Sequence, residues 1–464
     1  MQNLVGELFF NTFGCFPQKI EPLQAHGSNR KYFRIYSKDK TYMGTYNENT
    51  KENDAFISYA LQMKNKGINV PIVYAYDKNK NIYLQEDLGD VTFYQYICSH
   101  SIEESLPFYK QILSHLADIQ LMPSFDYGKA YPRQSFDKQS ILWDFNYFKY
   151  CFLKVVDMEF DEQVLENDFN VLSDYLLSVP GDYFLYRDFQ SRNIMLHNEN
   201  IYFIDFQGGR KGALQYDVAS LLFDGKAKLP FEIKQKLLQY YINILSAKTC
   251  IDEKTFVEQF YAFVYARIMQ ALGAYGFRGL VQGKTSFTQS ISQAIDNLKC
   301  LQKNIPLNVD LPELNNVFSQ IINSEKLIKL SSSEKKLTVN IKSFSYKKGY
   351  PMDTSGNGGG FVFDCRALPN PGRLSEFKSL TGKDIEVITY LENKKEVEYF
   401  LNNVDNIIKQ SVNKYLERGF SNLMVCFGCT GGQHRSVFCA EEIAKRLSQN
   451  TDLKIIIQHV EQNI

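Results

Sequence analysis

Tyr186-Arg187-Asp188-Phe189-Gln190-Ser191-Arg192-Asn193, with Ile204-Asp205-Phe206-Gln207 downstream, is the stretch that decides how this chain of 464 residues is read. Phosphoryl transfer needs a carboxylate to orient and deprotonate the accepting hydroxyl. It also needs oxygen ligands that hold Mg²⁺ on the phosphates. An aspartate, an asparagine five residues later and a second aspartate at a strand end form the spacing that protein-kinase-like enzymes use. Between them, Ile194–Leu196 and Ile201–Ile204 read as apolar strands around the turn His197-Asn198-Glu199-Asn200. Folded as a hairpin, this register sets Asn193 nearly opposite Ile204 and Asp205, where paired Cα atoms stand about 4.5–5.5 Å apart. Arg-Asp and Asp-Phe dipeptides alone say little, because Asp188 and Asn193 are also turn formers. The ordered set carries the reading.

Upstream, Lys31–Tyr36 and Thr41–Tyr46 read as strands about the turn Ser37–Lys40. Glu52–Lys66 has helical spacing, and Val73–Tyr76 with Asn81–Gln85 forms a second hairpin. From Val91 to Val179, and again from Val218 to Lys303, the periodicity is helical. The expected fold is an α+β bilobal protein-kinase-like domain over residues 1–305, with an N-lobe of about 1–90 and a C-lobe of about 91–305. Residues 306–336 read as a linker, for Pro306 and Pro312 break the pattern and Leu330–Lys336 is a polar run. Beyond it, Leu337–Phe344, Phe361–Phe363, Ile385–Tyr390, Leu423–Phe427 and Lys454–His459 read as strands, and Lys394–Glu417 and Ser436–Ser448 as helices. That order predicts a small α/β domain with a mostly parallel sheet over 337–464, with a glycine insert at Gly356–Gly360.

The first 305 residues resemble the aminoglycoside/choline kinase-like superfamily. Within it the likeness is nearer to bacterial cell-wall amino-sugar kinases, which phosphorylate N-acetylmuramate or N-acetylglucosamine at the anomeric hydroxyl. It rests on Gly27–Arg34, Glu86-Asp87-Leu88-Gly89-Asp90, Arg187–Asn193, Asp205-Phe206-Gln207, Tyr216–Leu222 and Arg267–Gly273. The resemblance implies ATP and Mg²⁺ as cofactors, Asp188 as the base, and Asn193 and Asp205 as metal ligands. It implies a phosphate loop containing Ser28, Asn29 and Arg30, an adenine hinge at Gln85, Glu86 and Leu88, and acceptor contacts from Arg192 and Gln207. Asp217 reads as a cap for a helix opening at Val218. One departure stands out: Thr41–Tyr46 has no lysine where a kinase normally pairs the phosphates. Arg30 or Arg34 is expected to supply that charge.

In the last domain an apolar strand runs into Gly428-Cys429-Thr430-Gly431-Gly432-Gln433-His434-Arg435-Ser436, with a helix following. Strand, glycine-rich turn and helix N-terminus make an anion site from backbone N–H groups. Cys429 to Arg435-Ser436 also fits the phosphate loop of a cysteine phosphatase, which makes a bifunctional kinase/phosphatase one alternative. Residues 337–460 resemble the C-terminal domain of RapZ-type RNase adaptors, through Ser343–Gly349, Phe363–Pro371, Leu380-Thr381-Gly382 and Gly428–Ser436. That resemblance implies a phosphosugar ligand, glucosamine-6-phosphate, held by Gly428, Thr430, Gly431, Gly432, Gln433, His434, Arg435 and Ser436, with Arg435 as the ionic contact. The adaptors' P-loop motif is absent from this sequence. A non-catalytic regulator built on a pseudokinase is the other alternative.

Lys+Arg and Asp+Glu are each 52, so nothing in the overall balance calls for a polyanion. Nucleic acid is therefore an unfavoured partner, although a local basic patch is compatible with zero net charge. Nine cysteines without zinc spacing, no basic signal-peptide start and no long apolar run set the expectation of a cytoplasmic protein without membrane contact. A homo-oligomer is compatible with all of this. The expected activity is ATP-dependent phosphorylation of an amino-sugar hydroxyl, coupled to phosphosugar sensing.

Overall fold

The computed structural model describes residues 1–23, 30–38, 40–225, 227, 229–283, 285–288, 290–305, 307–327, 336–353, 360–417, 420 and 422–462. The expected phosphate-loop residues Gly27, Ser28 and Asn29, the polar tether at 330–335 and the glycine insert at 356–359 lie outside the described residues. The chain divides into two compact units, Met1–Ser331 and Ser332–Ile464.

The first unit opens with a helix, Gln2–Phe13, laid on an antiparallel sheet of order β1-β2-β3-β5-β4. The strands are β1 (Lys19–Leu23), β2 (Lys31–Tyr36), β3 (Thr41–Tyr46), β4 (Val73–Asp77) and β5 (Ile82–Glu86). Alternation in β2 buries Phe33 and Ile35 on one face, and with Tyr42, Ile82 and Leu84 they enclose Val5 and Phe9 of the helix. Gly44 in β3 allows this approach, since a Cβ there would stand 2.6 Å from a Val5 methyl carbon. The helix Thr50–Asn65 covers the lobe from Asn49, whose side chain caps the Glu52 N–H.

The second lobe is helical, as its periodicity predicts, around four short strands. These are β6 (Tyr183–Leu185) paired with β9 (Arg210–Gly212), and the hairpin β7 (Ile194–His197) with β8 (Asn200–Phe203). Two expectations need correction. Asp217 does not cap a helix at Val218, because the helix runs Leu214–Leu222 and Asp217 sits inside it. Residues 306–336 are not simply a linker either. Pro312 occupies the first turn of a helix, Pro312–Asn323, where its missing N–H costs nothing. Leu314, Val317, Phe318 and Ile321 then fall on one face and are fully buried in the core of the first unit.

The second unit has a four-stranded sheet of order β11-β12-β10-β13, and every pairing among the described residues is parallel. Its strands are β10 (Leu337–Ser345), β11 (Gly360–Asp364), β12 (Asn422–Cys429) and β13 (Leu453–His459). β12 lies between β11 and β10, so nearly all its residues are buried, as a strand covered on both faces requires. The expected strand Ile385–Tyr390 is a helix, Ile385–Glu392. Its β-branched residues favour a strand, but Val387 and Leu391, four apart, are the buried pair, and packing overrides propensity.

Candidate active site and anion loop

Asp188, Asn193 and Asp205 come together because the hairpin β7–β8 pairs Ile194 with Phe203, and the Ile204 N–H donates to the Asn193 carbonyl at 3.0 Å. The Asn193 side-chain nitrogen donates to the Asp188 carbonyl at 2.8 Å and approaches the Asp205 carboxylate at 3.5 Å. One amide thus ties the loop of the first aspartate to the carboxylate of the second. Arg187 and Asp205 both adopt left-handed backbone, φ 83° and 67°. Such residues cost about 1–3 kcal/mol each and collect where geometry serves chemistry. Asp217 holds the first of these turns, its carboxylate accepting from the Tyr186 N–H at 2.7 Å and the Arg187 N–H at 3.0 Å. Burial pushes its carboxyl up to about 7 despite those bonds. Tyr186 donates its hydroxyl to the Ile204 carbonyl at 2.6 Å, which pins the loop to the strand end.

A buried cation stands beside Asp205, off the strand that lacks the lysine. Arg30, at the head of β2, bonds Glu52 on the helix Thr50–Asn65 at 3.0 Å and Asp205 at 3.3 Å. A buried cation bonded to a helix glutamate and to Asp205 has the form of the lysine–glutamate pairing of kinases. Glu52 was not singled out from the sequence, because Asn49-x-x-Glu52 there signals only a helix start. Arg34 is placed otherwise: its guanidinium forks onto Asp87, at 2.7 and 3.1 Å, and onto Asp90, at 2.9 Å. It clamps β2 to the expected hinge and is already neutralised. In that hinge Gln85 donates to the Thr45 hydroxyl, Glu86 exchanges bonds with Ile72, and Leu88 is buried. Of the expected acceptor contacts, Gln207 donates to Asp205 at 2.6 Å, whereas Arg192 is exposed on the turn Ser191–Asn193.

Oxygen donors at this point fit magnesium. Asn193 spends its nitrogen on Asp188 and Asp205, which leaves its amide oxygen as an acceptor beside a carboxylate. No cluster of three or more His, Cys, Asp or Glu side chains able to hold a metal occurs among the described residues. Magnesium characteristically takes one or two protein oxygens and completes its shell with phosphates and water.

In the second unit, the turn after β12 enters the helix Arg435–Leu447. Gly431, Gly432 and Gln433 line a cavity of about 410 Å³, together with Ser345, Lys347 and Thr381. Thr430 is exposed beside them. The other expected ligands are spent inward. Gly428 lies in β12, where a Cβ would stand 2.4 Å from the Tyr346 ring. His434 bonds the Phe377 carbonyl at 2.8 Å. Arg435, expected as the ionic contact, donates to the Arg366 and Leu368 carbonyls at 2.7 and 3.0 Å. Positive charge reaches the cavity from Lys347 and Lys348 instead, and Lys348 is paired with Glu461. Ser436 lies 3.1 Å from the Cys429 sulfur, and the Gly432 N–H donates to that sulfur at 3.2 Å. Burial alone would push the Cys429 thiol up. Hydrogen bonds from Ser436, Gly432 and Gly431 outweigh it and hold the thiol below its ordinary value.

A β-lobe joined to a helical lobe, with Asp188 and Asp205 brought together at the mouth of the hairpin β7–β8, is the arrangement of a bilobal phosphotransferase. The chain belongs to the phosphotransferase enzyme family, whose model matches residues 19–250, and residues 337–463 match the RapZ C-terminal domain. A "nucleotide-binding protein" of Acidobacterium capsulatum is 44% identical over 117 residues, covering 25% of this chain and 36% of its own. One from Fervidobacterium nodosum is 39% identical over 127 residues, covering 27% and 43%. The chain thus spans less than half the length of these two curated relatives. Among solved structures, an ethanolamine kinase of Plasmodium vivax is 14% identical, with a TM-score of 0.46 over 60% of this chain and 82% of its own. An ADP-bound aminoglycoside phosphotransferase, APH(2'')-Ib, is 12% identical, with a TM-score of 0.45 over 71% and 99%. No helix among the described residues is long and apolar enough to cross a membrane.

Proposed function

We propose that the first unit transfers the γ-phosphoryl group of ATP to a hydroxyl of an amino sugar, with the anomeric hydroxyl of an N-acetylated hexosamine the favoured acceptor. The observation that carries this reading is the Asn193 bridge between Asp188 and Asp205. Asp188 takes the proton from the accepting hydroxyl as its oxygen bonds to phosphorus, the bond to the β,γ-bridging oxygen breaks, and ADP leaves. Asn193 and Asp205 would hold Mg²⁺, which supplies charge neutralisation on the phosphates. Arg30, fixed by Glu52, orients those phosphates. The second unit, in the same reading, binds a phosphosugar in the cavity beside Gly431 and Gly432, with Lys347 as its cation. Arg435, committed to two carbonyls, weighs against the phosphatase alternative.

A radiolabelled-ATP screen over N-acetylmuramate, N-acetylglucosamine and glucosamine tests the kinase reading. Asp188→Asn should lower turnover at least ~10²-fold while nucleotide still binds, since a general base touches the acceptor and not ATP. Near-normal turnover in that variant would remove Asp188 from the chemistry.

A further inference from the structure

The arginines around the catalytic loop are not neutralised alike. Arg30 has Glu52 and Asp205, Arg34 has Asp87 and Asp90, and Arg187 has Asp144 at 2.6 Å. Arg210 has none of these. It is 6% exposed, it stands in β9 opposite Leu185, and its hydrogen bond is from Nε to the Gly208 carbonyl at 3.0 Å. Among the described residues no carboxylate lies within ion-pair distance of it, and neither terminal nitrogen has a hydrogen-bond partner. Burial and the neighbouring Arg187 charge both press its pKa down. Arg267, also 6% exposed, is held by neutral groups only: the Tyr216 hydroxyl, the Ser220 hydroxyl and the Gln270 side-chain oxygen. Arg210 pairs across the strands with Leu185, three residues before Asp188, and the Asp144 and Asp188 carboxylates act on it from beyond bonding distance, opposing the fall in its pKa.

Keeping a guanidinium buried without a directly bonded counter-charge is costly, and a fold that retains one gains nothing in stability by it. A planar fork with both terminal nitrogens open is the group that suits a carboxylate or phosphate. We infer that Arg210 forms an anion subsite next to Asp188, and that the acceptor is a sugar bearing a carboxylate or phosphate group. This rests on the kinase reading above and deepens it by giving the acceptor a charge. A polycationic aminoglycoside would meet Arg210 and Arg267 as like charges and is disfavoured.

The test compares kcat/KM for N-acetylmuramate, glucosamine-6-phosphate, N-acetylglucosamine and kanamycin in the wild type, Arg210→Gln and Arg210→Lys. One anionic sugar should exceed its neutral counterpart at least tenfold, and the better of the two identifies the anion. Arg210→Gln should cut that ratio at least tenfold, and Arg210→Lys, which keeps the charge without the fork, should retain part of it. If the Gln variant does not fold, the Lys variant reads the same ratio. Equal use of neutral and anionic sugars, or an unchanged ratio in the folded variants, overturns the subsite while the kinase stands. Calorimetry of the same ligands separates the two ideas from the other side. Anionic sugar bound tightly by the wild type and weakly by the variants, with no transfer to any acceptor, keeps the subsite and removes the kinase. No binding and no transfer removes both.

Discussion

In the proposed reaction Arg30 takes the part of the missing strand lysine. Its side chain is about 5% exposed and is fixed between Glu52 and Asp205, so its charge is held in place by the fold itself. Arg30→Gln should weaken ATP binding by about 10–100-fold, the worth of a charged hydrogen bond, which calorimetry with ATP would read. A variant that binds ATP normally would assign the phosphates to another cation. Lys234 offers a test of burial itself. It bonds the Asn297 side chain at 2.8 Å, lies 4.1 Å above the Phe223 ring, and burial lowers its pKa from 10.5 to about 8. Between pH 8 and 10.5 the unfolded chain therefore binds more protons than the native one, and this group's contribution to stability rises across that window. Denaturant titrations of Lys234→Met should lose that rise. The aspartate–asparagine–aspartate spacing was legible in the sequence because a hairpin register is local. The commitments of Arg34 and Arg435 were not, because each depends on partners far away in the chain.

At the scale of elements, β2 to β5 were legible nearly residue for residue, since β2 alternates cleanly and turns are short, whereas the opening helix and β1 went unread. The helix Ile385–Glu392 was not. Its β-branched run resembles a strand, and what fixes it is the burial of Val387 and Leu391, four residues apart on one helical face. The helix Pro312–Asn323 was hidden by Pro312 at its start and by Pro306 in the sequence before it. Helix contacts elsewhere are close enough to predict from. The segment 276–281 continues the helix Glu253–Tyr275 in π form, and Gly276 meets another π segment, Lys149–Leu153. A Cβ at 276 would stand 2.0 Å from the Cys151 carbonyl oxygen. Gly276→Ala should destabilise the first unit by about 1–3 kcal/mol, seen as a lower Tm. An unchanged Tm would mean the two segments separate without cost.

For the molecule as a whole, two cores are built from different architectures, antiparallel sheet with helices in one and parallel sheet in the other. Ile341, fully buried in β10, belongs to the second core alone. Ile341→Ala should cost that unit about 2–5 kcal/mol and lower its transition in a calorimetric scan. The division between the cores does not follow the boundaries of family resemblance. The phosphotransferase match ends at residue 250, yet Arg267 and the apolar face of Pro312–Asn323 lie beyond it and are buried in the first unit. A protein shortened to the matched region, or to residue 305, would uncover the bed of Leu314, Val317, Phe318 and Ile321. It would offer that surface to its neighbours in solution and collect as aggregate. A chain ended after Leu327 keeps that bed covered and is the fragment to express.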